Sequence, residues 1–143
     1  MDEALTFLFG GYDTSSTGLY WALCLLGLHS DIQDRVFQEL HSVFGDDKTR
    51  EVRIEDVKSL VYLEQVIKET LRLYPPVPLI GRENKESIKV GSIYAMMEMK
   101  IILAHLLRNF KITTLDPLDK VNMMMTVTLR CLNTPRLRFS FRT

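Results

Sequence analysis

The chain has 143 residues, enough for about one domain with one apolar core. Eighteen basic and eighteen acidic side chains cancel, so no bulk field draws it to nucleic acid or anionic lipid, and 46% hydrophobic with 25% charged residues is ordinary for a globular protein. Two cysteines, Cys24 and Cys131, give no disulfide framework and fit a reducing compartment or simple burial.

The first helix is expected from about Asp2 to Leu28, broken or bent around Gly10–Ser16, where "GGYDTSS" interrupts a strong helical pattern. Its apolar run, Leu19 to Leu28, is short of the roughly 20 residues that span a bilayer. The start "MDEALTF" carries acid where a secretory signal needs positive charge, so the chain by itself reads as soluble. Ser30 and Gln33 have the spacing of a capping box, which starts a second helix at Asp31. Gly45 can end it. After a charged loop, "IEDVKSLVYLEQVIKETLRLY" reads as one helix from Ile54 to Tyr74, stopped by Pro75, Pro76 and Pro78. "ESIKVG" alternates weakly and suggests a short strand. From Ile93 to Leu107 the chain is apolar on most sides, the mark of a buried helix. Then the period changes: "NFKITTL", "MMMTVTLRCL" and "RLRFSFR" predict two or three antiparallel strands, with Asp116-Pro117 and Asn133-Thr134-Pro135 as turns. The fold class is mainly α with a small antiparallel β tail.

Two clusters carry possible chemistry. Gly10 and Gly11 each cost a helix about 1 kcal/mol relative to alanine, and Thr14, Ser15, Ser16 and Thr17 can bond back to carbonyls a turn earlier. A loop between two short helices explains the stretch as well as a long helix opened locally. In the second case the missing side chains leave room for a flat ligand or a diatomic molecule, with Asp13 and Thr14 facing the gap to pass protons. The other cluster, "KETLRLYPPVP", places Glu69 and Arg72 three apart before a proline hook. Taken alone, that is an ordinary surface pair.

Together and in this order, the clusters resemble the cytochrome P-450 haem-thiolate monooxygenases. "GGYDTS" is similar to the family's oxygen-activating motif, small-Gly-x-Asp-Thr-Thr/Ser, and "ETLR" to its Glu-x-x-Arg pair. "YLEQVIKETLRLYPPVPLIGRE" and "AMMEMKIILAHLLRNFKI" resemble the family 4 branch, whose members often hydroxylate fatty acids at the ω end. The resemblance implies a partial cytochrome P-450 fold over residues 1–143. Its central helix would cross a haem, with Gly10 and Gly11 forming the oxygen pocket. Asp13 and Thr14 would be the catalytic acid–alcohol pair, and Glu69 with Arg72 a buried structural network whose loss unfolds the core. Arg82, in "LIGRE", would pair with a haem propionate; a solvent-exposed loop arginine is the other reading. Implied partners are an NADPH-cytochrome reductase and a lipophilic small molecule, with no nucleic acid. Full-length relatives sit on the endoplasmic reticulum membrane by an N-terminal anchor. Many family 4 members carry at the Gly10 position a glutamate bonded to the haem, a link glycine cannot make.

The resemblance also defines what to look for and not find. The family's iron ligand is a cysteine in a Phe-x-x-Gly-x-Arg-x-Cys-x-Gly loop just before the helix similar to "AMMEMKIILAHLL". Here "SIKVGSI" stands there instead, which implies a deletion between Gly91 and Ser92 that also removes the arginine completing the Glu69–Arg72 network. Cys24 lies in an apolar run and Cys131 lacks both glycines, so no metal ligand is assigned. The chain starts just before the central helix, so the anchor and most of the substrate pocket are expected to be missing. Stable haem binding by this polypeptide is not expected, and exposed apolar edges are expected around Ile93–Leu107. The alternative to a working monooxygenase is a catalytically dead truncated form without haem.

Overall fold

In a computed structural model, residues 2–78, 93–125 and 128–142 are described. Among them, five α-helices precede two small β ribbons. They are α1 (Asp2–Leu28), α2 (Ser30–Phe44), α3 (Ile54–Ser59), α4 (Val61–Leu73) and α5 (Ile93–Asn109). Then come β1 (Phe110–Thr114), β2 (Met123–Met125), β3 (Leu129–Cys131) and β4 (Leu137–Phe141). The weak strand expected at "ESIKVG" lies outside the described residues.

One apolar core joins these elements. Ala22 and Leu26 of α1, Val36 and Leu40 of α2, Leu63 and Ile67 of α4, Leu103 and Leu107 of α5, and Ile112 of β1 are all buried in it. The apolar spacing read from α2 and α4 is the spacing that faces inward. In α5, Met99, Leu103, Ala104 and Leu107 are covered. The exposed apolar surface expected along that helix is therefore confined largely to Tyr94, 83% exposed at its start. Among the described residues no helix is long and apolar enough to cross a membrane.

Four sequence expectations change in their details. First, α1 is helical throughout, with no break at Gly10–Ser16. The hydroxyls there bond back into the helix without opening it: Thr14 Oγ1 donates to the Gly10 carbonyl at 2.7 Å and Ser16 Oγ to the Asp13 carbonyl at 3.1 Å. Second, Ser30 and Gln33 make no capping box. The helix begins one residue earlier, at Ser30, with His29 as N-cap and no side-chain cap bond. Gln33 is fully buried and turned inward. Its Nε2 donates to the carbonyls of Leu26 (2.7 Å) and Ile112 (2.9 Å), and its Oε1 accepts the Ile112 N–H at 2.9 Å. Gly45, with φ of +63°, ends α2 as expected.

Third, the single helix expected from Ile54 to Tyr74 is two, broken at Leu60. The cause is a carboxylate from another helix. Glu39 of α2 accepts the N–H groups of Tyr62 (2.6 Å) and Leu63 (2.8 Å), capping α4 from outside, while Leu60 is fully buried at the corner. Fourth, the β tail has four strands in two ribbons, because "MMMTVTLRCL" supplies both β2 and β3. β1 pairs antiparallel with β4, Phe110 opposite Phe141 and Thr114 opposite Leu137. The Asp116 turn holds that pairing: its carboxylate accepts the Arg136 N–H at 2.8 Å and grips the guanidinium at 2.8 and 3.0 Å.

A buried cation in α5 escaped the sequence pattern. Lys100, 3% exposed, donates to the Val57 carbonyl at 3.0 Å and to Glu64 of α4 at 2.5 Å. Glu64 also meets Lys68 at 2.7 Å. The hydrogen bond from Lys100, and next that from Lys68, hold the Glu64 carboxyl down to about 2. A depressed carboxyl adds stability above its unfolded value, and that stability is lost as pH falls through the folded one. The Glu64 contribution should thus be complete at pH 5 and fade toward pH 2. We expect about 1–2 kcal/mol there, less than the whole shift because the Glu64 side chain is 35% exposed to screening water. In acid titrations of unfolding free energy, Glu64→Gln should flatten this limb; an identical acid profile in the variant would exclude the assignment.

Candidate functional site

The middle of α1 carries the first group of candidate residues. Gly10 and Gly11 are exposed, Asp13 and Thr14 half-buried. Helical spacing puts Gly10 and Thr14 one turn apart on a shared face, with Gly11 beside them. A methyl built at Gly10 or Gly11 would meet no atom within 4 Å. Among the described residues, then, no packing contact demands glycine at either position. The open backbone would admit a flat ligand against the helix. Thr14 Oγ1 is engaged with the Gly10 carbonyl at 2.7 Å, so its hydroxyl proton is stored on the helix and its lone pairs face outward.

This openness has a measurable cost. Gly10→Ala and Gly11→Ala should each stabilise the chain by about 0.5–1 kcal/mol through helix propensity alone. Urea unfolding of the two variants checks it. A loss of stability at either position would mean that the glycine is held by packing within this chain.

Below the glycines, α1 is fastened tightly. Ser15 Oγ donates to Glu98 Oε2 of α5 at 2.8 Å. Trp21, 1% exposed, stacks on Tyr74 at 4.0 Å between ring centroids and 10° between planes, which seats the proline hook after α4. The Pro76 carbonyl accepts the Leu129 N–H at 2.8 Å, tying the hook to the β2–β3 ribbon. Sequence reading found the proline hook but none of these contacts. An aromatic stack between residues 53 apart leaves no periodic trace.

The second cluster is made but not buried. Glu69 Oε1 and Oε2 accept from Arg72 Nη2 and Nε at 2.7 and 2.8 Å, yet the side chains are 56% and 67% exposed. The buried network expected from the resemblance is absent among the described residues. Glu69 lies on an open apolar groove of about 350 Å³ with Leu25, Ile32, Tyr62, Val66 and Leu73 among its walls. Among the described residues no third charged side chain forms an ion pair with them. Its mutual hydrogen bonds hold the Glu69 carboxyl below its usual value and the Arg72 guanidinium above. Arg82 lies outside the described residues, as does the Gly91–Ser92 junction.

Burial works against a free thiolate at either cysteine. Cys24 is fully buried, and burial pushes its thiol up to about 11, against a smaller opposing hydrogen bond from Tyr20. Burial also raises the half-buried Cys131. Both are held as thiols. Among the described residues no three His, Cys, Asp or Glu side chains converge as a metal site. His105 is a satisfied helix residue, its Nδ1 lying 3.2 Å from Arg108 Nη2. Gly10 and Gly11 thus leave one face of α1 open, while burial works against a thiolate at both cysteines.

Comparisons with known proteins agree on the family. A family model for cytochrome P450 matches residues 1–94. The chain is similar to cytochrome P450 4g1 of Drosophila melanogaster, 50% identical over 92 residues, covering 64% of this chain and 16% of that protein. It is 48% identical over 90 residues to cytochrome P450 4V2 of Mus musculus, covering 63% and 17%. With cytochrome P450 4ae1 of Drosophila melanogaster it shares 40% identity over 119 residues, 82% of this chain and 24% of that one. In fold it is similar to the crystal structure of a cytochrome P450 (CYP102L1), with a TM-score of 0.81 at 21% identity, covering 97% of this chain and 45% of that one. The chain therefore spans about a sixth to a quarter of the length of these curated relatives. With both motif helices in place and the family match running across them, the chain belongs to the cytochrome P450 family.

Proposed function

We propose that this chain is part of a haem-dependent monooxygenase that inserts one oxygen atom from dioxygen into a lipophilic, fatty-acid-like substrate, with electrons from an NADPH-dependent reductase at the endoplasmic reticulum membrane. The observation that carries this reading is the α1 face. Two glycines leave the helix backbone open where packing would accept alanine, beside an acid and an alcohol one residue apart. Gly10 and Gly11 leave room for the flat cofactor, which when bound supplies the oxygen-activating iron. Thr14 holds a proton on the Gly10 carbonyl at 2.7 Å and can reorient to donate it outward, with Asp13 next to it to restore it. Arg82 is assigned to a haem propionate. Glu69 and Arg72 form the structural pair, which a further segment would cover. Similarity to family 4 relatives favours a fatty-acid-like substrate.

A second reading applies to the polypeptide as it stands: a truncated form that binds no haem. The state of the two cysteines favours it, since both thiols are raised by burial. The family match ends at residue 94, just past the Gly91–Ser92 junction where the cysteine loop would be expected, which supports this reading. Haem titration separates the readings. Purified chain, reduced and treated with carbon monoxide, should lack the Soret band diagnostic of thiolate ligation. A stoichiometric band of that kind would overturn the truncated reading and leave the monooxygenase reading for this polypeptide itself.

A further inference from the structure

β4 is an edge strand, with nothing paired to its outer side among the described residues. The flanking bonds set the phase of its ladder with β1: the Arg142 N–H donates to the Asn109 carbonyl at 2.8 Å and the Leu115 N–H to the Arg136 carbonyl at 2.9 Å. Hydrogen-bonded pairs alternate along an antiparallel ladder, so Lys111 with Ser140 and Thr113 with Arg138 carry the bonds between. The N–H and C=O groups of Leu137, Phe139 and Phe141 therefore point away from β1. On the opposite edge of the sheet the equivalent groups are taken. Gln33 holds both peptide groups of Ile112, and Arg142 Nε donates to the Phe110 carbonyl at 3.3 Å. Among the described residues no side chain covers β4 in the same way. Phe139 is 45% and Phe141 81% exposed, clustered with Phe110 at 6.0 and 4.9 Å between ring centroids. Proteins commonly blunt such an edge with proline, a bulge or several charges; here the register is unbroken and Arg138 is the sole charge within the strand.

We propose that this edge pairs with the same edge of a second copy of the chain, antiparallel about a two-fold axis through Phe139. In that register Phe139 meets its own counterpart and Leu137 meets the partner's Phe141. Every outward peptide group of β4 then finds a donor or acceptor, and apolar side chains face apolar ones. Charge selects the register. Arg138 is exposed, with no carboxylate on it among the described residues, and about Phe139 it stands opposite the partner's Ser140. An axis at Arg138 would set this guanidinium against its own counterpart, and one at Ser140 would set it against the partner's Arg142. Like charges directly opposite each other destabilise a sheet. The Phe139 axis brings Arg136 opposite the partner's Arg142, but each has a carboxylate of its own, Asp116 at 2.8 Å and Asp34 at 3.7 Å. An edge that matches itself in hydrogen-bond phase, apolar pairing and charge at one register fits an isologous interface. The pairing depends neither on haem nor on the monooxygenase reading.

Sedimentation equilibrium of the 143-residue chain and of two Ser140 variants tests this. Ser140 is exposed, so its substitutions leave the fold intact, and each acts twice across a two-fold axis. The unsubstituted chain should form a dimer that dissociates on dilution. Ser140→Glu, facing the partner's Arg138, should tighten that dimer about tenfold, and Ser140→Lys should weaken it about tenfold. In the dimer the amide protons of Leu137, Phe139 and Phe141 should exchange about tenfold more slowly than in the dilute monomer. A chain that stays monomeric at every concentration overturns the proposal and leaves the edge to a strand of a different protein. Equal association of Ser140→Glu and Ser140→Lys, or a dimer without protection of those three amides, overturns it as well and assigns the contact to another surface.

Discussion

Gln33→Ala should lower the unfolding free energy by about 4 kcal/mol, measured by urea denaturation. The carboxamide docks on the peptide groups of Ile112, accepting its N–H and donating to its C=O, and reaches the Leu26 carbonyl as well. β1 pairs with β4 along one edge only, so Gln33 stands where a further strand would. Truncation leaves three buried backbone groups without partners and opens a void in the core. Each orphan costs about 1–3 kcal/mol, and small domains hold only about 5–15 kcal/mol in total. Gln33→Glu keeps the acceptor and removes the donor, so it should also destabilise. A loss below about 1 kcal/mol for Gln33→Ala would show that water replaces the amide and that the seam between α1 and β1 is not sealed.

Gly27→Ala should destabilise by about 2–3 kcal/mol, in the opposite sense to the same change at Gly10 or Gly11. A methyl at Gly27 would collide with Thr114 Oγ1 and lie 2.7 Å from Thr114 N and 3.1 Å from the Thr113 carbonyl carbon. Two of these are backbone atoms of β1, which cannot swing aside as a side chain can. The strand must retreat from α1, straining the bond from Thr114 Oγ1 to the Cys24 carbonyl and loosening the Gln33 bridge. Adding Thr114→Ala removes the nearest atom but neither backbone contact, so it should restore only part of the loss. Full rescue by the double variant would locate the clash in the hydroxyl alone. Stability equal to the unsubstituted chain in Gly27→Ala would mean that the helix and strand are not in close contact.

The contrast among the glycines bears on how much could be read from the sequence. The "GGYDTSS" stretch and "ETLR" are local patterns, and both the family and the helices bearing them followed from reading them. The periodicity of α2 and α4 gave their buried faces, and the proline cluster gave the end of α4. What escaped was every contact made across the chain. Gln33 looked like a cap because spacing alone cannot show that its amide is needed 79 residues away. Leu60 looked like the interior of a helix because Glu39, which sets the break, belongs to another element. Gly27 drew no notice among apolar neighbours, although it is the glycine that packing requires. Glu69 and Arg72 were expected to be buried, which needs a covering segment that their own helix cannot provide.

The two long-range amide and carboxylate bridges have consequences for the order of assembly. Glu39 reaches α4 across 23 and 24 residues, and Gln33 reaches β1 across 79. Closing the longer loop costs about 1 kcal/mol more in chain entropy. On a ribosome, the carboxylate can join α2 to α4 long before β1 has emerged, and the amide acts as a latch that closes only once β1 is present. Refolding rates should accordingly respond to changes at Glu39, and unfolding rates to changes at Gln33.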